Sequence, residues 1–139
     1  MTLAEKQRQM ICTINAMGDC FDQYSFLLLK AGQLSPMPDE HKTDDRLVAG
    51  CQSKVWLKLT VIEGCFYMEA DSDTLILRGV LAVLSDLLNG APAADVAALP
   101  ITLLQETELS ATFTSTRSAG LSSILVNIRD ACTDDHTLL

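Results

Sequence analysis

The first residues alternate polar and apolar positions at helical spacing. Leu3, Met10, Ile11, Ile14 and Met17 make a loose stripe, as on a half-buried helix. Thr2 and Glu5 stand ahead of it at capping-box spacing, where each side chain can bond the other's backbone N–H. Gly18-Asp19 interrupts the pattern, and Asp19 is placed to cap a second helix. In that helix Phe21, Tyr24, Leu27, Leu28 and Ala31 share one face, and Gly32 closes it. Two antiparallel helices are the simplest reading. "GQLSPMPDEHKTDD" follows, proline-containing and highly charged, and predicts a solvated loop.

The period then drops to two. Val55, Leu57, Leu59 and Val61 alternate with Trp56, Lys58, Thr60 and Ile62, as along a strand. Glu63-Gly64 is a two-residue turn, and "CFYMEA" (Cys65–Ala70) returns as the partner strand. Arg46–Ala49 add a short third strand. Asp71, Ser72 and Asp73 read as capping oxygens for a long helix from about Thr74 to Asn89. Its stripe is Ile76, Val80, Val83, Leu84 and Leu87, widened by Leu77, Leu81 and Leu88. So apolar a helix belongs in the centre, packed on the sheet. Gly90 and Pro92 end it. "PAADVAALP" and "ITLLQETEL" read as short helical pieces. The last helix puts Leu121, Ile124, Leu125, Ile128 and Cys132 on one face. The predicted class is α+β, with a small antiparallel sheet of about three strands flanked by helices, in one domain spanning 1–139.

Composition removes several function classes. Apolar residues are 48% and charged residues 20% of the 139, which argues against disorder. A formal net charge of −8 argues against nucleic acid and against an anionic membrane surface as partners. No N-terminal stretch has the layout of a secretory signal. The longest apolar run, "TLILRGVLAVLSDLL", is interrupted by Arg78, Ser85 and Asp86 and falls short of the roughly 20 residues a bilayer span needs. A soluble, cytoplasmic protein is expected.

The cysteines narrow the chemistry. Cys12, Cys20, Cys51, Cys65 and Cys132 include no C-x-x-C pair and no Cys/His cluster, so neither a zinc knuckle nor a disulfide framework is signalled. Four of them fall on predicted helices or at a strand start, where packing accounts for them. Cys51 differs, lying between Gly50 and the small polar pair Gln52-Ser53, with Arg46 and Lys54 near in sequence. Positive charge and backbone N–H groups lower a thiol pKa, and an unperturbed thiol is only about 3% thiolate at neutral pH. On the residues alone, a reactive thiol and an incidental loop cysteine both stay open.

A cysteine protease would need a histidine beside the thiol. His41 sits in the charged loop and His136 in a polar tail, and a solvated loop histidine is the simpler account of His41. Asp44-Asp45 and Asp134-Asp135 read as solvated faces, and no glycine-rich phosphate loop is present. Arg117, in "TSTRSAGL", opens the last helix, where the macrodipole disfavours a cation. A partner elsewhere in the molecule and a plain surface arginine both remain as readings.

"GCQSKVWL" (Gly50–Leu57) resembles the cysteine block of the SufE family, sulfur-acceptor proteins that work with cysteine desulfurases in iron–sulfur cluster assembly. "ADSDTLILRGVLAVL" (Ala70–Leu84), "TSTRSAGL" and the paired N-terminal helices agree in order and spacing, so the resemblance covers nearly the whole chain. It implies an α+β fold similar to the iron–sulfur scaffold proteins (SufE/IscU-like). It also implies that Cys51 takes persulfide sulfur from a cysteine desulfurase of the SufS or CsdA type, stimulating that enzyme, and passes it toward an iron–sulfur scaffold of the SufBCD type.

Pyridoxal phosphate would belong to the desulfurase, with no cofactor or metal in this chain, making it a sulfur-transfer accessory protein and not a stand-alone enzyme. Gly50, Gln52 and Ser53 would meet the partner, with Arg117 and Asp73 supporting the cysteine. The chain departs from the family pattern at Ser115, where proline is frequent, at Ala119, where a polar residue is usual, and at Ala70, where glycine often precedes the aspartates. Two alternatives stand beside this reading. One is a scaffold assembling a cluster on itself, which calls for several converging cysteines. The other is a thiol redox-sensing binding domain. A homodimer stays open, with no heptad or exposed apolar repeat in the sequence to support it.

Overall fold

A computed structural model of the chain describes residues 1–48, 53–109 and 115–134, the last stretch with its side chains from 120 to 133. Helix α1 (Leu3–Asn15) carries the expected capping box: Glu5 N donates to Thr2 Oγ1 at 3.1 Å, and Thr2 N donates to Glu5 Oε2 at 3.4 Å. Asp19 caps α2 (Cys20–Gln33), its Oδ1 accepting from Phe21 N and Asp22 N.

The buried face of α2 is turned from the one the apolar pattern predicts, keeping Leu27 and Ala31 but taking in Gln23. Gln23, Leu27 and Ala31 point inward, while Phe21 is 78% exposed and Tyr24 and Leu28 sit at the margin. Two contacts set this rotation. The Leu27 turn lies directly on Gly79 of the central helix, so close that a Cβ at position 79 would stand 2.3 Å from the Leu27 carbonyl oxygen. Gln23 tolerates burial because its amide is bonded, donating to the Gly18 carbonyl at 3.2 Å and accepting from Glu108 N at 2.7 Å. The helix also runs through Gly32 to Gln33 instead of stopping there.

Strands β1 (Val55–Ile62) and β2 (Cys65–Ser72) form an antiparallel hairpin in register from Ile62–Cys65 to Val55–Ser72. Glu63 (φ 52°) and Gly64 (φ 81°) both take left-handed backbone, the requirement of a tight hairpin turn that matches the strand twist. Val55, Leu57, Phe66, Met68 and Ala70 form its buried inner face, with β2 packed on α3 (Leu75–Leu88). Helix α3 also packs against α2 and is buried over most of its circumference. Asn89 Oδ1 accepts from Met68 N at 2.7 Å, and Gly90 N and Ala91 O pair with Phe66, so the chain leaving α3 covers the edge of β2. Helix α4 (Ala93–Ala98) follows, and α5 (Ser115–Asp134) packs on it and on β1. Leu121, Ile124, Ile128 and Cys132 are buried along α5, as its periodicity predicts.

The class is α+β, as expected, with local corrections. The third strand reduces to a single bridge, Leu47 with Trp56, extended by Val48 N donating to Val55 O at 2.8 Å; among the described residues the sheet has two strands. "ITLLQETEL" folds as turns, in which Gln105 N and Glu106 N both donate to Thr102 O, and it plugs the core with Leu103, Leu104 and Leu109. Packing accounts well for Cys132 but not for Cys12, which is exposed, while Cys20 and Cys65 are half-buried. No helix among the described residues is long and apolar enough to cross a membrane.

Candidate functional site

Val48 and Ser53 bracket the stretch 49–52, and the elements around them are fastened separately on each side. On the N-terminal side, the sequence predicts a solvated loop over 32–45 and a short strand from Arg46; residues 34–48 form instead a strap anchored to the open end of the hairpin. Met37 is 2% exposed, and its N–H donates to Asp71 Oδ2 at 3.1 Å. His41 Nδ1 lies 2.7 Å from Glu69 Oε1, so this histidine is paired and not simply solvated. Arg46 Nη1 donates to the His41 carbonyl at 2.9 Å, which turns the guanidinium toward its own strap. Lys42 Nζ stands 3.3 Å from Asp71 Oδ2 and 5.1 Å from the centroid of the Trp56 ring, within cation–π range. The strap ends at the Leu47–Trp56 bridge and Val48.

Asp71 is the point on which these contacts converge. It is 2% exposed, and each carboxylate oxygen accepts two donors. Oδ1 takes Ser72 N at 2.8 Å and Arg78 Nη1, and Oδ2 takes Met37 N and Lys42 Nζ. Arg78 also donates to the Leu34 carbonyl at 3.0 Å, which ties the end of α2 to the start of α3. Burial pushes the Asp71 carboxyl up, but the Met37 and Ser72 N–H groups and the Arg78 and Lys42 charges outweigh it, holding the pKa below the usual carboxylate range. The sequence reading of Asp71 as a helix cap is therefore corrected. The N-cap residue of α3 is Thr74, whose N–H donates to Ser72 Oγ at 3.2 Å.

The C-terminal side is fastened to the next residues along. Ser72 Oγ donates to the Lys54 carbonyl at 2.8 Å, Lys54 N donates to Asp73 Oδ1 at 3.1 Å, and Asp73 N donates to Lys54 O at 3.2 Å. Thr74 Oγ1 lies 2.7 Å from Ser53 Oγ and 3.2 Å from Asp73 Oδ1. Of the residues singled out from sequence, Ser53 and Asp73 are thus brought together through Thr74. Gly50, Cys51 and Gln52 lie outside the described residues, and so does the side chain of Arg117, whose backbone belongs to the first turn of α5. Asp73 serves as a strand clamp and not as the cap the sequence suggests.

Lys42, Trp56, Asp71 and Arg78 are the residues the sequence reading missed. Strand β2 continues past Ala70 to Ser72, and Asp71 is buried although the alternation puts it on the face of Tyr67 and Glu69. Nothing in the sequence places Lys42 beside it. Among the described residues no three His, Cys, Asp or Glu side chains converge as a metal-binding set.

A family model described as SufE, an Fe-S metabolism associated domain, matches residues 8–132. The chain belongs to the SufE family. Over 105 residues it is 39% identical to the sulfur acceptor protein CsdE of Escherichia coli (strain K12), a match covering 74% of this chain and 71% of that protein. The α+β fold described above is shared with the solution structure of a hypothetical protein from Thermus thermophilus, at a TM-score of 0.79 over 95% of this chain and 96% of that one, with 19% identity. Two separately fastened arms around residues 49–52 are what this SufE chain builds at the end of its hairpin.

Proposed function

We propose that this SufE chain, one domain over residues 1–139, is a cytoplasmic sulfur acceptor whose Cys51 takes sulfane sulfur from a cysteine desulfurase and passes it on for iron–sulfur cluster assembly. The observation that carries this reading is the "GCQSKVWL" block in a SufE chain, set between arms tied to Asp71 on one side and to Ser72, Asp73 and Thr74 on the other. A relative named as a sulfur acceptor supports it.

The step is a thiol exchange. The Cys51 thiolate attacks the outer sulfur of the desulfurase persulfide, a new S–S bond forms at Cys51, the partner's S–S bond breaks, and the partner's cysteine leaves as thiolate. No net oxidant is needed, and the rate follows thiolate fraction and access. Gly50, Gln52 and Ser53 meet the desulfurase in this reading, and Arg117 and Asp73 support the cysteine. Pyridoxal phosphate does its chemistry in the partner. A SufBCD-type scaffold is the acceptor downstream. The test is turnover: with cysteine and a SufS- or CsdA-type desulfurase, alanine release rises on adding the wild-type chain and stays at the basal level with Cys51→Ser. Equal stimulation by the two proteins would refute the reading.

A further inference from the structure

Both arms of the Cys51 stretch are fastened to one short run, Asp71–Thr74, but by different chemistry. The C-terminal arm is held by hydroxyl, carboxylate and backbone bonds across the open end of the hairpin. The N-terminal arm comes from residues 34–48, and beyond its backbone N–H bonds at Val48 and Met37 it depends on the His41–Glu69 hydrogen bond and the Lys42–Asp71 ion pair. One side chain is common to two of its ties. Lys42 meets Asp71 through its ammonium and covers the Trp56 ring, and Trp56 is the residue that Leu47 bridges as the arm turns toward Val48.

We propose that Lys42 is a positioning residue for sulfur uptake, fixing through Trp56 and Asp71 where the N-terminal arm ends at Val48. This rests on the sulfur-acceptor reading and deepens it. The chemistry favours Lys42 for the role. An ammonium on a flexible stem can hold a carboxylate and an aromatic face together, and its side chain is 27% exposed, against 3% for Asp71. Its loss leaves Asp71 three of its four donors, whereas Asp71 also holds α3 and α2 through Arg78. Asp71 is itself screened from solvent, so the contact with Lys42 is weakened by salt less than an exposed pair would be.

Lys42→Met retains a stem to lie on Trp56 and removes the charge; Lys42→Arg retains both charge and stacking. Sulfur loading on Cys51 is followed by intact mass against time, with a cysteine desulfurase at increasing concentrations, for wild type, both variants and Cys51→Ser. For Lys42→Met we expect a maximal loading rate lower by about fivefold, the factor that about 1 kcal/mol of lost positioning makes. The desulfurase concentration at half-maximal rate should stay near wild type, and the melting temperature should fall much less than in Asp71→Asn, since Asp71 keeps three of its four donors. Lys42→Arg should return the rate to within about twofold, a difference of about 0.4 kcal/mol. Wild-type loading by Lys42→Met overturns the proposal. So does a loss that Arg fails to restore, or one that follows a fall in melting temperature as large as that of Asp71→Asn. If wild type itself gains no sulfur, the sulfur-acceptor reading fails instead, and the two failures are thereby told apart.

Discussion

Replacing Asp71 by Asn removes one charge while keeping size and shape, and the geometry determines how much is lost. The carboxylate accepts four donors, two on each oxygen: Ser72 N and Arg78 on Oδ1, Met37 N and Lys42 on Oδ2. An asparagine has a single acceptor oxygen, so its NH2 group must face one of these pairs. In either orientation one backbone N–H and one cation meet another donor. A buried donor left unsatisfied costs about 1–3 kcal/mol, more when charged, and breaking a buried ion pair from one side costs roughly 3–5 kcal/mol. Arg78 and Lys42 keep partial access to water, at 20% and 27% side-chain exposure, which pulls the sum toward the lower end. We expect a loss of about 3 kcal/mol.

The assay is equilibrium denaturation by urea, comparing wild type with Asp71→Asn at constant slope. Because the folded carboxyl titrates below its unfolded value, near 3.9, its charge stabilises the fold fully above about pH 4–5. That contribution is lost as pH falls through the folded pKa. The gap between the two proteins should therefore be flat from pH 5 to pH 8 and close progressively below about pH 4. A difference under about 1 kcal/mol at neutral pH, or a gap that widens in acid, would refute the reasoning.

Gly79→Ala separates two opposing effects at the α2–α3 contact. Helix propensity favours alanine by about 1 kcal/mol, but its Cβ would lie 2.3 Å from the Leu27 carbonyl oxygen and 2.9 Å from the carbonyl carbon, backbone atoms that cannot rotate away. Net destabilisation of about 1–3 kcal/mol is expected in the same denaturation series, and a stabilised variant would mean the helices are not so closely packed. Gly64→Ala should destabilise by about 1 kcal/mol, because Gly64 holds φ at 81° with open space around it. The cost there is conformational and not steric, so Gly64→Asn, which tolerates left-handed backbone, should recover most of it in thermal melts; an Asn variant as weak as the Ala variant would contradict the assignment.

Elements fixed by local periodicity were legible in the sequence. The hairpin follows from the alternation Val55–Ile62 and the Glu63-Gly64 turn, and the central helix from its continuous apolar stripe. The capping box at Thr2 and the Asp19 cap depend on neighbours three residues away and were equally readable. What escaped depends on partners distant in the chain. Gln23 is buried in place of Phe21 because Glu108, far along the sequence, supplies its N–H. The charged loop becomes a strap because Glu69 and Asp71 present carboxylates on the strand it meets. Asp71 and Asp73 were read as local caps for the same reason: a capping role needs only neighbours, whereas their partners come from Met37, Lys42, Lys54 and Arg78. Cys51 was singled out by its small neighbours and the block around it, and lies outside the described residues. The two-armed frame that flanks it was not, since it is built from three separate segments.

Cys51 is the proposed point of sulfur entry. Intact-mass spectrometry after incubation with a cysteine desulfurase and cysteine tests it most directly. A gain of about one sulfur atom is expected on wild type, reversed by a thiol reductant and absent from Cys51→Ser. The same gain on both proteins, or none on wild type beside an active desulfurase, would contradict it.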